Sequence, residues 1–169
     1  MDMAGMPKSD PEQMLRDENE KTSAHQTRGK LKIFFGYASG VGKTYAMLKA
    51  AHRAKQQGID VVAGYIEPHG RPETAALLRG LDQTPPAEFH QGNLTIQEFD
   101  LDAALRRKPQ LILIDELAHT NADGCRHSKR YQDIEELLKA GIDVHTTLNV
   151  QHIESLNDTV ASVTGIMVR

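Results

Sequence analysis

The sequence predicts an α/β fold: a mainly parallel central sheet in three layers, with helices on both faces. Three observations lead there. Short apolar runs alternate with amphipathic segments of helical length, the order that builds parallel strands joined by crossover helices. A glycine-rich stretch, Gly36 to Thr44, joins the first apolar run to the first helical segment. A later apolar run, Leu111 to Ile114, ends in two acids, Asp115 and Glu116.

The elements follow in order. Met1 to Gly29 is polar and charged, with Pro7 and Pro11 and few large apolar residues, so residues 1–28 are expected to form a disordered or weakly helical leader. Residues 29–169 are expected to form one domain. Leu31 to Phe35 reads as a strand buried on both faces. Tyr45 to Gln57 reads as a helix with Met47, Leu48, Ala51 and Ala54 on its apolar side, closed by Gly58. Asp60 to Ile66 is the second strand. Pro72 opens a short helix reaching Arg79, which Gly80 closes. Leu81 to Asn93 has little periodicity, with a short strand expected at Glu88 to Gln91. Asp100 to Lys108 reads as a helix stopped by Pro109, and Gln110 to Ile114 as a central strand. Tyr131 to Ala140 is an amphipathic helix carrying Ile134, Leu137 and Leu138, ended by Gly141. Ile142 to Leu148 is the next strand, Ile153 to Val163 a further helix, and Ile166 to Val168 the start of another strand.

The 169 residues suit one domain with a sizeable core. A composition of 39% hydrophobic and 25% charged residues is ordinary for a soluble globular chain. The net charge of -3 argues against general nucleic-acid binding, which draws on a basic excess. Cys125 is the one cysteine, so no internal disulfide forms and a reducing compartment is the simple expectation. No apolar run approaches the ~20 residues needed to cross a bilayer. A soluble, cytoplasmic chain without membrane insertion is expected.

The stretch Gly36-Tyr37-Ala38-Ser39-Gly40-Val41-Gly42-Lys43-Thr44 has the chemistry of a phosphate-binding loop between strand and helix. Backbone N–H groups of a tight turn, continued into a helix N-terminus, make a concave anion site. Ser39, Gly40, Val41, Gly42, Lys43, Thr44 and Tyr45 are the candidate ATP-binding residues. Lys43 reaches the β- and γ-phosphates, and the Thr44 hydroxyl takes one Mg²⁺ position. Lys43 is expected to face solvent when no ligand is bound. The usual pattern has a glycine six residues before the lysine; Tyr37 stands there, with Gly36 one place earlier. The expected architecture is therefore like that of P-loop NTPases.

Asp115 is the expected second Mg²⁺ residue, acting through water, and Glu116 is placed to orient or deprotonate an attacking water or hydroxyl. Consecutive strand side chains point to opposite faces, so both acids border one crevice only if the backbone turns there. Glu67, His69 and Arg71 lie in a loop at a strand's carboxyl end, where ligands bind in open α/β sheets. His119 to Arg130 is too polar for a core and is expected to be a mobile loop. His119 is placed to sense a γ-phosphate. Arg126, Lys129 and Arg130 could bind a phosphate or an acidic partner. His119, Cys125 and His127 offer three zinc-ligand types without paired spacing, a weak signal. His145 reads as a satisfied sheet histidine. Asn149 and Gln151 carry amides placed to hold a nucleophile or contact phosphate.

Several of these stretches together resemble one family. They are Gly-Val-Gly-Lys-Thr, Glu67-Pro68-His69-Gly70-Arg71-Pro72-Glu73-Thr74 and Asp115-Glu116-Leu117-Ala118-His119-Thr120-Asn121. Arg126-His127, Lys129-Arg130-Tyr131-Gln132-Asp133 and Thr146-Thr147-Leu148-Asn149-Val150-Gln151-His152 complete the series. It resembles the N-terminal cytoplasmic domain of KdpD, the bacterial potassium-responsive sensor histidine kinase, from about Gly29 to Arg169. The resemblance implies an ATP-binding regulatory domain of an inner-membrane protein, ahead of a universal-stress-like domain, four membrane helices and a histidine kinase core. It implies partners among those domains and the response regulator, and leaves a homodimer open. In that family the loop glycine also precedes the lysine by seven places, so Tyr37 is no departure from it. Cys125 stands where a small residue such as serine is expected.

Two functions compete. One is a regulatory ATP module whose loops after Asp115 and Leu148 order around the nucleotide. The other is an enzyme, an ATPase or a Ser/Thr phosphotransferase, which Glu116 favours. A docking domain without nucleotide is disfavoured by the intact Gly42-Lys43-Thr44.

Overall fold

The computed structural model describes residues 28–36, 41–67 and 71–149. The leader apart from Arg28, the loop residues Ser39 and Gly40, His69, Gln151 and the two expected elements after Val150 lie outside them.

The described chain runs β1 (Leu31–Gly36), α1 (Val41–Gln56), β2 (Val61–Tyr65), α2 (Pro72–Arg79) and β3 (Asp82–Gln83). It continues through β4 (Ala87–Gln91), β5 (Leu94–Glu98), α3 (Leu101–Arg107), β6 (Leu111–Ile114), α4 (Arg130–Lys139) and β7 (Asp143–Asn149). Five strands form one parallel sheet in the order β1-β7-β6-β2-β3, and β4 pairs with β5 in a separate antiparallel ribbon.

Strand β6 shows why there are three layers. Alternate side chains leave opposite faces of a strand. Leu111 and Leu113 join Met47, Leu48 and Ala51 of α1, with Leu77 and Leu78 of α2 against them. Ile112 and Ile114 join Leu101 and Ala104 of α3 and Ile134, Leu137 and Leu138 of α4. All four β6 residues are buried, which is why the run is apolar throughout rather than alternating. Full burial of each such side chain contributes about 1.5–3 kcal/mol.

The helix ends follow local chemistry. Pro72 occupies the first turn of α2, where no intrahelical N–H is lost. Asp100 caps α3 by accepting from the Ala103 N–H at 3.0 Å, and Lys108 ends it in the left-handed region at φ 49°. The Gln132 side chain accepts from the Lys129 N–H at 3.0 Å and opens α4.

Three elements depart from the sequence reading. β1 is not buried on both faces: it stands at the edge of the sheet with β7 as its one strand neighbour among the described residues, and Phe35 is 45% exposed. The helix after the glycine loop starts at Val41 rather than Tyr45, so Gly42, Lys43 and Thr44 lie in its first turn. The strand at Glu88 to Gln91 is real but belongs to a hairpin with β5, turned at Gly92 with φ 62°. The two-residue β3 is too short to be read from sequence, and β5 escaped the sequence reading although Leu94 and Ile96 alternate with Thr95 and Gln97.

Candidate functional site

Register brings the expected residues to one edge. Gly36 is opposite Asn149, and Ile114, just before Asp115, is opposite both Thr146 and Tyr65. The carboxyl ends of β1, β7, β6 and β2 therefore lie side by side, where ligands bind in open α/β sheets. The first turn of α1 meets the same edge.

The strands deliver Asp115 on the α1 side, following Leu111 and Leu113. Its carboxylate is 1% exposed. Oδ1 and Oδ2 accept from Thr44 Oγ1 at 3.2 and 3.3 Å. Oδ1 also accepts from Thr147 Oγ1 at 2.9 Å, and Oδ2 from the Glu67 N–H at 2.9 Å. Three elements thus converge on one carboxylate.

Lys43 does not face solvent. It is 8% exposed, and its Cγ and Cδ lie 2.6 and 2.7 Å from where a Cβ on Gly36 would stand. The lysine stem folds back over the last residue of β1, and only glycine leaves room for it. Tyr45, one residue past Thr44, is 39% exposed. Asn149 is buried, and its Oδ1 has no hydrogen-bond partner.

Glu116 is half-buried and adopts φ 66°, a left-handed conformation rare for a residue with a side chain. The backbone turns there, as both acids bordering one crevice would require. Holding it costs about 1–3 kcal/mol, offset by a hydrogen bond from its N–H to Thr147 Oγ1 at 3.0 Å.

The segment from His119 to Arg130 is not the mobile polar loop expected. It is tied down because its polar groups pair with one another. Thr120 and Lys129 form a β-bridge. Buried Asn121 donates to the His127 carbonyl at 3.0 Å and to Asp133 at 2.9 Å. Burial pushes the Asp133 carboxyl up, against that hydrogen bond. His127 Nε2 lies 2.8 Å from Glu136, and Arg126 pairs with Asp102 and Glu136. Arg130, expected to reach a phosphate or a partner, is instead fully buried. It donates to the Asp115 carbonyl at 2.8 Å and to Glu98 at 3.2 Å, and lies over the Tyr65 ring at 4.5 Å. Burial holds its guanidinium below the ordinary arginine range.

His119 is engaged by buried Glu98, with Nε2 2.8 Å from Oε1. Cys125 is half-buried, and burial raises its thiol above the usual range. Among the described residues no group of three His, Cys, Asp or Glu side chains could hold a metal. His145 is not satisfied: its Nδ1 is buried without a partner, and burial lowers its pKa to about 4. Thr147, Glu98 and the structural role of Arg130 escaped the sequence reading. The signal for Thr147 was present, since it lies two residues from Asn149 on the same face of β7.

No helix among the described residues is long and apolar enough to cross a membrane. A family described as KdpD, osmosensitive K+ channel His kinase sensor domain, matches residues 27–169. The chain is 60% identical over 155 residues to the sensor protein KdpD of Clostridium acetobutylicum, covering 92% of this chain and 17% of that protein. It is 60% identical over 160 residues to the sensor protein KdpD of Escherichia coli, covering 95% of this chain and 17% of that one. A putative sensor protein KdpD of Synechocystis is 54% identical over 142 residues, covering 84% of this chain and 38% of that protein. The chain therefore spans a small part of the relatives it matches. On a match covering residues 27–169, and on identity of this level, it belongs to the KdpD sensor-domain family.

Proposed function

We propose that this domain binds Mg-ATP in a P-loop NTPase-like site and uses it to regulate a larger potassium-responsive sensor histidine kinase. The observation that carries the proposal is the meeting of Thr44, in the first turn of α1, with the Asp115 carboxylate at 3.2 and 3.3 Å. A hydroxyl beside a buried carboxylate, at a helix N-terminus, suits a hydrated divalent cation next to phosphate. The orphaned Asn149 Oδ1 and the Lys43 stem seated on Gly36 also fit a polar ligand at this edge. Thr44 and Asp115 would hold Mg²⁺, which when bound neutralises phosphate charge. Ser39 to Tyr45 would cradle the phosphates, Lys43 would contact them directly, and Asn149 would orient a group near them. His119 would act only if nucleotide drew it from Glu98. The partners are the remaining domains of the parent protein and its response regulator, on the cytoplasmic side of the inner membrane.

Glu116 supports a second reading, an ATPase or a Ser/Thr phosphotransferase. A module that only binds needs no acid in a left-handed turn beside Asp115.

Calorimetry with ATP, in Mg²⁺ and in EDTA, tests the proposal. Lys43→Met keeps the aliphatic stem over Gly36 and removes the charge. It should weaken ATP binding by about tenfold or more. Thr44→Ala should weaken binding in Mg²⁺ and leave it unchanged in EDTA. Wild-type affinity in Lys43→Met would remove the phosphate-loop function, and equal losses for Thr44→Ala in both buffers would remove the metal role.

A further inference from the structure

The peptide unit joining Asp115 to Glu116 is held at both ends. Its carbonyl oxygen accepts from Arg130 Nη1 at 2.8 Å, and its N–H donates to Thr147 Oγ1 at 3.0 Å. Thr147 directs its own hydroxyl proton to Asp115 Oδ1 at 2.9 Å. One side chain thereby fixes the peptide and the carboxylate together. The Thr147 carbonyl adds a bond from the Leu117 N–H at 2.9 Å.

Arg130 is an expensive residue to place there. Its side chain is 0% exposed, and its Nε is buried without a partner. Buried arginine–carboxylate pairs stabilise a core no better than packed apolar side chains of similar volume. Orientation is what the guanidinium supplies here. Its planar fork spans the Asp115 carbonyl and Glu98 while its face lies on Tyr65, so its donors cannot rotate as an ammonium would. The residue so oriented is the one that needs it, because Glu116 at φ 66° is a conformation a free chain rarely takes.

We propose that Arg130 and Thr147 are positioning residues that clamp the Asp115–Glu116 peptide, aiming the Asp115 carboxylate at Thr44 and fixing the left-handed exit of Glu116. The function assigned to the clamp rests on the Mg-nucleotide reading of the site. Glu98 extends it outward. The same carboxylate that receives Arg130 lies 2.8 Å from His119 Nε2 and accepts from the Ala122 N–H at 2.7 Å. The segment after Asp115 and the end of β5 therefore reach the two acids through one buried guanidinium.

Thr147→Val removes the hydroxyl at nearly constant volume, Thr147→Ser restores it, and Arg130→Met fills the buried space without the fork. Two measurements are made on the whole chain. Calorimetry gives the gain in ATP affinity that Mg²⁺ brings. NMR gives the exchange rate of the Glu116 amide and the sign of its φ. Thr147→Val and Arg130→Met should each lose about tenfold of the Mg²⁺-dependent gain while binding ATP normally in EDTA. Thr147→Ser should recover it. The Glu116 amide should exchange faster in Thr147→Val, and the positive φ should be lost in both variants. A merely structural role would lower stability but leave the Mg²⁺ increment intact. Variants that keep the wild-type increment and the left-handed turn overturn the clamp. If wild-type protein binds no ATP but the variants lose the turn, the clamp stands and the nucleotide function falls.

Discussion

Gly36→Ala is the substitution whose effect the geometry specifies most closely. Gly36 ends β1 without a positive φ, so alanine meets no backbone penalty there. Its new Cβ would stand 2.6 and 2.7 Å from Lys43 Cγ and Cδ. Ordinary carbon contacts lie near 3.5–4.0 Å, so the lysine stem must move by about 1 Å. Those atoms are mid-chain, and the whole side chain must leave its seat. The overpacking should cost about 1–3 kcal/mol, against about 0.4–1 gained from the stiffer unfolded chain. A net loss of about 1–2 kcal/mol is expected in urea denaturation. Displacing the ammonium should forfeit the phosphate contacts proposed for it and, on that proposal, weaken Mg-ATP binding by about tenfold or more. A double-mutant cycle with Lys43→Ala isolates the cause. With the stem removed, Gly36→Ala should be neutral or slightly stabilising and should not reduce affinity further. Wild-type ATP affinity in Gly36→Ala, or equal destabilisation in both backgrounds, would refute the contact as the cause.

Two further outcomes are expected. Glu116→Gln should leave ATP affinity near wild type and reduce any phosphate release by about 10²–10⁴-fold; equal single-turnover rates would eliminate Glu116 as the base, and no release from either protein would favour the regulatory module. His145 has a folded pKa of about 4, lowered first by burial and then by Lys32, against an ordinary value of 6.5. The unfolded chain takes up that proton first, so this contribution to stability is full above pH ~6.5 and is lost as pH falls toward ~4. His145→Leu should flatten the stability profile in that window, read by urea denaturation across pH; an unchanged slope would show that His145 is not its source.

What the sequence determined by itself is what local pattern encodes. The apolar run at Leu111 to Ile114 read as a buried strand because it is short, follows Pro109, which stops the preceding helix, and ends in two acids beside an upstream glycine-rich loop. Met47, Leu48 and Ala51 marked the buried side of α1, and Pro72 with Gly80 bounded α2. Candidate site residues were legible where their types are unusual for a core or a turn: Lys43 and Thr44 at a helix start, and Asp115 and Glu116 at a strand end.

Tertiary structure decided the rest, because it depends on which strands become neighbours. β7 lies between β1 and β6, and only that order sets Thr147 beside Asp115, although the two are 32 residues apart. The polar run from His119 to Arg130 resembled solvated loop because composition cannot show that its charges satisfy one another. Burying Arg130 required Glu98, the Asp115 carbonyl and Tyr65 to arrive from three separate segments. The seat of Lys43 on Gly36 was hidden for the same reason: a glycine's missing Cβ acquires meaning only when another chain segment occupies the space it leaves.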